Sequence, residues 1–308
     1  MPQRLRIRQF AVVCLLLGAL LVSWGLPASG GTLHGKSASS ETEQRPWLMV
    51  GMGPNGGCSA GCRRAFHVVV SMTGRKGVIL PFAEASAEKI AAMAPEFIIL
   101  GPQGTPWCRY TGSKGVELQN FLWILPYVVE ELNIPVLGIC GGHQALALAF
   151  GGKVGPIRGG TDDCLPYQRV RQSGVVSIGL RSPDPIFRGL DQELRIVQSH
   201  YDEVKSMPPG FVLLASERLS LVQIMRHPTR PAYGIQGHPE NFHTGRPDGG
   251  ILIRNFIDIA TTYNRVYRDT RSYSLGEFPI SRGSAQALSG QALLNAPSVE
   301  RKPRTLYK

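Results

Sequence analysis

The sequence predicts an α/β domain in which helices flank a mostly parallel central sheet. Two observations lead to this prediction. Between residues 47 and 152, short apolar runs typical of buried strands alternate with segments of helical periodicity, an order typical of parallel sheets. One of these strands runs directly into Gly138-Ile139-Cys140-Gly141-Gly142, whose small residues permit the sharp strand-to-helix turn called a nucleophile elbow.

The first half of the alternation supplies four strands and four helices. Apolar runs closed by Gly or Pro predict strands, and apolar residues at helical spacing predict helices. Ser86 is placed to cap the second helix, and Pro126 is expected to kink the third. The strands are predicted at residues 47–52, 77–82, 97–100 and 135–139, and the helices at residues 62–70, 87–93, 118–132 and 144–150.

The second half of the alternation is built from shorter elements. Six short apolar segments between residues 153 and 237 have the length and composition of strands. We interpret them as a small mixed-sheet extension of the same domain. Residues 250–263 are predicted to form a final helix.

The composition is that of a folded protein whose net charge is concentrated at the two ends of the chain. Of 308 residues, 43% are hydrophobic and 18% are charged, which excludes a wholly disordered chain. The net charge of +11 divides into +3 in residues 1–46, +3 in residues 47–264 and +5 in residues 265–308. A basic groove for nucleic acid within the fold is therefore not expected.

The two ends are predicted to be accessory to a catalytic domain at residues 47–264. Three arginines precede an uncharged apolar run at residues 10–26, so residues 1–30 are predicted to be a signal peptide or an N-terminal membrane anchor. The polar residues 31–46 are predicted to be a linker, and the basic residues 265–308 a mostly disordered tail. The domain is then expected outside the cytoplasm; a misassigned start codon would instead make it cytoplasmic.

The six cysteines are too few for a disulfide scaffold in a chain of this length. Cys58 and Cys62 are close in sequence, but a Cys-x3-Cys spacing without neighbouring histidines is weak evidence for zinc. We interpret these two residues as small, partly buried members of a helix.

The predicted elbow places Cys140 where a thiol becomes reactive. At the N-terminus of a helix, the aligned peptide dipoles favour a thiolate. The backbone N–H of Gly141 would point to the position where an oxyanion develops. A cysteine nucleophile at residue 140 is therefore the leading hypothesis.

A cysteine nucleophile requires a base, and His238 follows the predicted strand AYGIQ at its carboxyl end. Active sites of α/β sheets lie at this end of the strands. Residues two apart in an extended segment face the same side, so Glu240 can orient the imidazole of His238. Together with the elbow 98 residues upstream, this His-x-Glu pair predicts a Cys-His-Glu triad.

With these motifs the chain resembles the class I, or triad, glutamine amidotransferases from about residue 47 to residue 263. The resemblance rests on four segments in order, FIILGPQG, VLGICGGHQALALAFGGKV, VQSHYDEV and YGIQGHPE. The segment HPENFHT is most similar to the glutaminase portion of GMP synthases. The resemblance implies a flavodoxin-like domain that hydrolyses the side-chain amide of glutamine and delivers ammonia to a partner synthetase.

The resemblance also implies roles for individual residues. Cys140 would form a γ-glutamyl thioester, His238 would act as base and then acid, and Glu240 would orient His238. The backbone N–H groups of Gly101 and Gly141 would form the oxyanion hole. Four residues are implied to lie at the substrate pocket: Gln144, Ser199, His200 and Tyr201.

Three departures from the family pattern bear on specificity more than on the thiol chemistry. Leu100 stands where the first Gly of the oxyanion loop is usual, and Gln103-Gly104-Thr105 alters the far side of that loop. Tyr201 replaces a usual glycine beside His200 and could reshape the pocket.

No metal-ligand cluster, cofactor motif or ATP-binding loop is found in the sequence. The resemblance implies that the substrate is glutamine or another γ-glutamyl compound. Further expected partners are a separate synthetase, which would accept the ammonia, and a membrane contacted through the N-terminal segment. Two alternatives stay open: an exported hydrolase of γ-glutamyl amides or peptides with the same triad, and a membrane-tethered binding module without turnover.

Overall fold

A twisted sheet of nine strands organises the computed structural model, which describes residues 45–54, 56–158, 170–243 and 245–268. Its strands lie in the order β2-β1-β3-β4-β11-β10-β9-β6-β7. The first five are mutually parallel, and from β10 onwards each strand pairs antiparallel with its neighbour. This arrangement confirms the predicted α/β class with a mostly parallel centre.

The parallel half contains the four strands predicted from the first half of the chain, joined by one from its end. Each is nearly all apolar because helices cover both faces of the sheet. Their bounds are Trp47–Gly51 (β1), Gly77–Pro81 (β2), Ile98–Leu100 (β3), Val136–Ile139 (β4) and Ala232–Ile235 (β11).

The mixed-sheet extension is confirmed, but most of it continues the central sheet through β10. Only two of its strands, β5 and β8, form a separate antiparallel pair among the described residues. The strands are Lys153–Pro156 (β5), Gln172–Leu180 (β6), Glu193–His200 (β7), Asp202–Ser206 (β8), Val212–Ser216 (β9) and Ile224–Arg226 (β10).

Five α-helices are found in the described part of the chain, and all except the second begin earlier than predicted. The third is continuous through Pro126, and the fourth starts immediately after Cys140. Their bounds are Ala60–Thr73 (α1), Ala87–Met93 (α2), Gly112–Glu130 (α3), Gly141–Ala149 (α4) and Asp248–Tyr263 (α5).

Two apolar clusters, one on each face, hold the sheet between the helices. Leu48 and Val50 of β1 pack in the cluster covered by α2, α3 and α4. Trp47 and Met49 of the same strand pack in the cluster covered by α1 and α5. The alternation follows from the period of two along a strand, so burial on both faces holds the register of β1.

Residues at and beyond the predicted domain boundary at residue 264 bind to the rest of the domain. Residues 264–268 continue α5 as a π-helical turn. The side-chain amide of Asn264 donates to Glu96 O at 2.7 Å, and Arg268 donates to Pro95 O at 2.5 Å. The structured unit therefore extends four residues past residue 264.

The predictions for both ends of the chain lie mostly outside the described residues. This applies to the signal peptide or anchor at residues 1–30, to the linker up to residue 44 and to the tail from residue 269. Within the described residues, none of the helices has the length and apolarity to cross a membrane.

Candidate active site

Cys140 occupies a sharp turn between the central strand β4 and helix α4. Its backbone has φ 51° and ψ −105°, outside the regions that residues with a side chain ordinarily adopt. The turn is held because Cys140 N donates to Ile235 O of the neighbouring strand β11 at 2.8 Å. The thiol sits at the first turn of α4 and is only 3% exposed. This is the elbow predicted from the sequence.

The turn is tight because two glycines allow close backbone approach. A Cβ on Gly142 would lie 2.0 Å from Leu100 O, so α4 rests directly on strand β3. A Cβ on Gly138 would lie 2.4 Å from Gly142 O. Both contacts are far below van der Waals distance, and any side chain at these positions would force the strand and the helix apart.

Replacing Gly142 by Ala is therefore expected to lower the free energy of unfolding by about 3 kcal/mol or more, because backbone atoms must move to admit the methyl group. Chemical denaturation measures the change. Gly104→Ala is the matched control, since a Cβ there meets nothing within 4 Å; its effect should stay within about 0.5 kcal/mol. Equal stability of both variants would contradict the packing described.

His238 and Glu240 form a hydrogen-bonded pair next to the elbow. Both follow β11, which pairs in parallel with β4, so the ends of these two strands bring the pair to the thiol. His238 Nδ1 lies 2.8 Å from Glu240 Oε1, and the carboxylate is buried. His238 N donates to Val197 O at 2.8 Å, which fixes the backbone of the histidine against β7.

The neighbours of His238 favour its protonated form. Burial alone would lower the pKa of His238, but the interactions with Cys140 and Glu240 outweigh burial and raise this pKa well above its ordinary value. Glu240 in turn lies beside the first turn of α1, since a Cβ on Gly61 would be 3.7 Å from Glu240 Oε1.

A buried chain of amides connects the elbow to the interior. Trp107 Nε1 donates to Gln144 Oε1 at 2.6 Å, and Gln144 Nε2 donates to Asp202 O and to Gln236 Oε1. Gln236 Nε2 approaches Cys140 Sγ at 3.9 Å. Gln144, predicted to bind substrate, thus uses both side-chain atoms within the protein. That prediction stays untested, and a direct contact with substrate would require one of these bonds to open.

Sequence reasoning missed Trp107 and Gln236. The signal for Gln236 was a polar residue at the end of the otherwise apolar strand segment AYGIQ. Trp107 belongs to no motif of the sequence, yet it is buried and stacks on Tyr110 with ring centroids 5.4 Å apart.

Ser199 lies on the same face of β7 as the residue that pairs with His238, and Tyr201 follows the end of this strand. Val197 and His238 form an antiparallel bridge, and Ser199, two residues further along β7, projects to the same side as Val197. Arg171 donates to Ser199 Oγ at 2.8 Å and lies over the Tyr201 ring at 5.7 Å. The roles of Ser199 and Tyr201 at a substrate pocket remain predictions, to which the structure adds Arg171 as a neighbour.

His200 and His143 are buried, neutral histidines. His200 Nδ1 lies 2.9 Å from Asp202 O and Nε2 lies 2.8 Å from Gln172 Oε1. Burial lowers the pKa of His200 to about 4 and that of His143 to about 3. His200, predicted beside the substrate, therefore has both ring nitrogens engaged inside the protein, and its contact with substrate stays a prediction.

The two predicted oxyanion donors differ in their surroundings. Gly141 is the first residue of α4, where a backbone N–H has no partner within its helix. Gly101 N instead donates to Val50 O at 2.9 Å, the bond that a parallel strand end makes with its neighbour. A role for Gly101 in the oxyanion hole would require this bond to break.

The interpretation of Cys58 and Cys62 as thiols in a helix is wrong. The two residues form a disulfide that spans the start of α1, with Cys62 in the helix and Cys58 in the preceding loop. Cys108 is also disulfide-bonded, whereas Cys140 is free. In the described residues no group of three or more His, Cys, Asp or Glu side chains could hold a metal ion.

Comparison with known proteins identifies one family over most of the domain. Residues 67–259 match the family described as glutamine amidotransferase class-I. The chain is 40% identical over 172 residues to the glutamine-hydrolysing GMP synthase subunit of Thermococcus kodakarensis, covering 56% of this chain and 79% of the relative. The corresponding protein of Methanosarcina acetivorans is 37% identical over 178 residues, covering 57% and 79%.

A solved structure agrees with these relatives. The crystal structure of a candidate GMP synthase subunit from Thermoplasma acidophilum matches with a TM-score of 0.54 at 25% identity. The match covers 72% of this chain and 97% of the other.

Proposed function

The chain belongs to the class I glutamine amidotransferase family, and from this premise we propose that it hydrolyses the side-chain amide of glutamine through Cys140, His238 and Glu240. One observation supports the proposal most directly. The free Cys140 lies in an elbow after β4, and the hydrogen-bonded pair of His238 and Glu240 follows the adjacent strand β11. Nucleophile, base and orienting group are thereby present in one place.

The first half of the reaction forms a thioester and releases ammonia. Cys140 Sγ attacks the γ-carbonyl carbon, a C–S bond forms, and the electron pair of the carbonyl moves onto its oxygen. Collapse of this tetrahedral species breaks the C–N bond, and His238 gives its proton to the departing nitrogen. The raised pKa of His238 keeps that proton available at neutral pH.

The second half restores the enzyme. Water attacks the thioester carbonyl and gives a proton to His238, the C–S bond breaks, and glutamate leaves. Glu240 holds the imidazole with Nδ1 towards the carboxylate, so that Nε2 faces the reacting atoms.

The relatives support a separate synthetase that accepts the ammonia. Their names describe one subunit of a glutamine-hydrolysing GMP synthase. We propose that this chain, if cytoplasmic, supplies ammonia to such a partner.

The disulfides favour a second candidate, an exported hydrolase of γ-glutamyl amides or peptides. Disulfides form and persist in oxidising compartments and are rare in the cytosol. The bonded state of Cys58, Cys62 and Cys108 therefore supports the expectation that the domain works outside the cytoplasm. N-terminal sequencing of the protein from separated cell fractions tests this location and shows whether the leader is cleaved.

The purified chain tests the function itself. Ammonia release from glutamine should be compared with release of the amine from γ-glutamyl peptides, with and without added synthetase. Preference for glutamine together with stimulation by the synthetase supports the ammonia donor. Preference for peptides supports the hydrolase. No turnover and no acylation of Cys140 by any γ-glutamyl compound would contradict both and favour a binding module.

A further inference from the structure

A second hydrogen-bond donor would stabilise a tetrahedral intermediate on Cys140, and the loop after β3 lies beside the elbow. The N–H of Gly141 is one donor at the start of α4. The N–H of Gly101 already donates a hydrogen bond to Val50 O, and Pro102 has no N–H. The next peptide in the loop, between Pro102 and Gln103, is therefore the first that can contribute.

The orientation of the Pro102–Gln103 peptide is set by Ser59. Ser59 Oγ donates to Pro102 O at 2.8 Å, so this carbonyl points to the start of α1. The peptide is planar and trans, so its N–H points in the opposite direction, away from α1.

The backbone N–H of Gln103 lies against the elbow and has no acceptor among the described residues. A Cβ on Gly141, the residue that follows the cysteine, would lie 2.5 Å from Gln103 Cγ and 3.1 Å from Gln103 N, so both the side chain and the N–H of Gln103 border the elbow. Gln103 is 8% exposed, and none of its backbone neighbours in the described chain accepts a hydrogen bond from this N–H. Backbone N–H groups of buried residues rarely lack a partner, so this N–H is available to an acceptor supplied by a ligand.

We infer that the second oxyanion donor is the backbone N–H of Gln103, acting with that of Gly141, and that Ser59 positions it. This inference rests on the proposed thioester chemistry. The negative oxygen of the tetrahedral species would lie between the two N–H groups, and Gly101 would keep its bond to β1.

The Cys58–Cys62 disulfide holds the positioning residue in place. Ser59 lies inside the ring that this bond closes, and its Oγ also accepts from Cys62 N at 3.1 Å. The sulfur of Cys62 lies 2.8 Å from the position of a Cβ on Gly101, so the bridge packs directly beneath the same loop. The helix start, the disulfide and the loop therefore form one contact unit.

Replacing Ser59 by Ala tests the positioning role. The change removes the bond to Pro102 O, and kcat is expected to fall about 10²-fold, as for loss of one oxyanion donor, with KM changed less than about threefold. Ser59→Thr keeps a hydroxyl and should restore most of kcat. Ser86→Ala is the matched control, because it also removes a helix N-cap, at α2, without touching the loop.

Replacing the amide N–H of Gln103 by an ester oxygen, through incorporation of an α-hydroxy acid, tests the donor directly. The same replacement at Gly104 is the control. The readouts are kcat and the affinity for glutamate γ-semialdehyde, whose carbonyl carbon would bond to Cys140 Sγ and give a tetrahedral adduct. In the protein with the ester at position 103, kcat and the affinity for the aldehyde should each fall by about 10²–10³-fold. The affinity for glutamate should stay within about twofold of the wild-type value, and the ester at position 104 should change neither kcat nor the affinity for the aldehyde.

The outcomes separate this inference from the proposed function. If the Ser59→Ala and Gln103 ester proteins turn over glutamine at the wild-type rate while Cys140→Ala is inactive, the donor assignment is wrong and the thioester chemistry stands. If the unmodified protein neither releases ammonia nor binds the aldehyde, both fail together.

Discussion

Replacing Cys140 by Ala is expected to abolish ammonia release from glutamine. The alanine side chain has no atom that can form the thioester, and loss of the nucleophile in triad enzymes lowers kcat on the order of 10⁶-fold. The measurement is ammonia release at saturating substrate, together with mass spectrometry of the protein after treatment with a glutamine-mimicking electrophile. The wild-type chain should gain one adduct on Cys140, and the variant none.

The Cys140→Ala protein must be shown to be folded before its loss of activity is interpreted. The backbone of Cys140 keeps the same conformation with an alanine Cβ, so the thermal unfolding temperature and the affinity for glutamine should stay near those of the wild type. Undiminished ammonia release by a folded Cys140→Ala protein would contradict the proposed mechanism. Labelling of Cys58, Cys62 or Cys108 is not expected while their disulfides are intact.

Replacing His238 by Asn is expected to lower kcat by about 10²–10⁴-fold, because no other described group takes its place as general acid and base. Glu240→Gln should lower kcat less, since the imidazole remains. Both variants keep the shape of the site, so changes in KM should be small. Steady-state kinetics with glutamine measure the effects, and a KM change larger than the kcat change would argue against a role in chemistry.

The pH dependence of kcat/KM in Glu240→Gln tests whether Glu240 raises the pKa of His238. Interactions with Cys140 and Glu240 raise the pKa of His238, so the protonated form persists to high pH. Removing the charge of Glu240 lowers this pKa and should move the alkaline fall of kcat/KM to lower pH. An alkaline limb that does not move would show that another group controls it. Ser86→Ala, remote from the triad in sequence and element, should leave the limb unchanged.

The parts of the site that depend on local sequence could be predicted. A buried strand followed by Gly-x-Cys-x-Gly specifies the turn at Cys140, because small flanking residues are required wherever the strand meets the helix. His238 and Glu240 are two residues apart after a strand, so their mutual contact also follows from local geometry. The alternation of apolar runs predicted the parallel half of the sheet for the same reason.

The parts that depend on contacts between distant segments could not be predicted. The bond from Gly101 N to Val50 O depends on which strand lies beside β3. The amide chain through Gln144 joins residues up to 92 positions apart. A spacing of four residues between Cys58 and Cys62 fits one face of a helix as well as a bridge across its first turn, so sequence alone favoured the wrong choice.

The backbone conformation of Cys140 lowers the stability of the fold, whereas the reaction requires a residue with a thiol at this position. A residue with a side chain at φ 51° and ψ −105° stores roughly 1–3 kcal/mol of strain, more than the roughly 0.5–1 kcal/mol that glycine costs in chain entropy. We expect Cys140→Gly to unfold at a higher temperature than Cys140→Ala, which retains the strain; the reverse order in calorimetry would refute this. A directed-evolution library screened only for folded yield would then drift towards losing the thiol, so every round must also demand turnover.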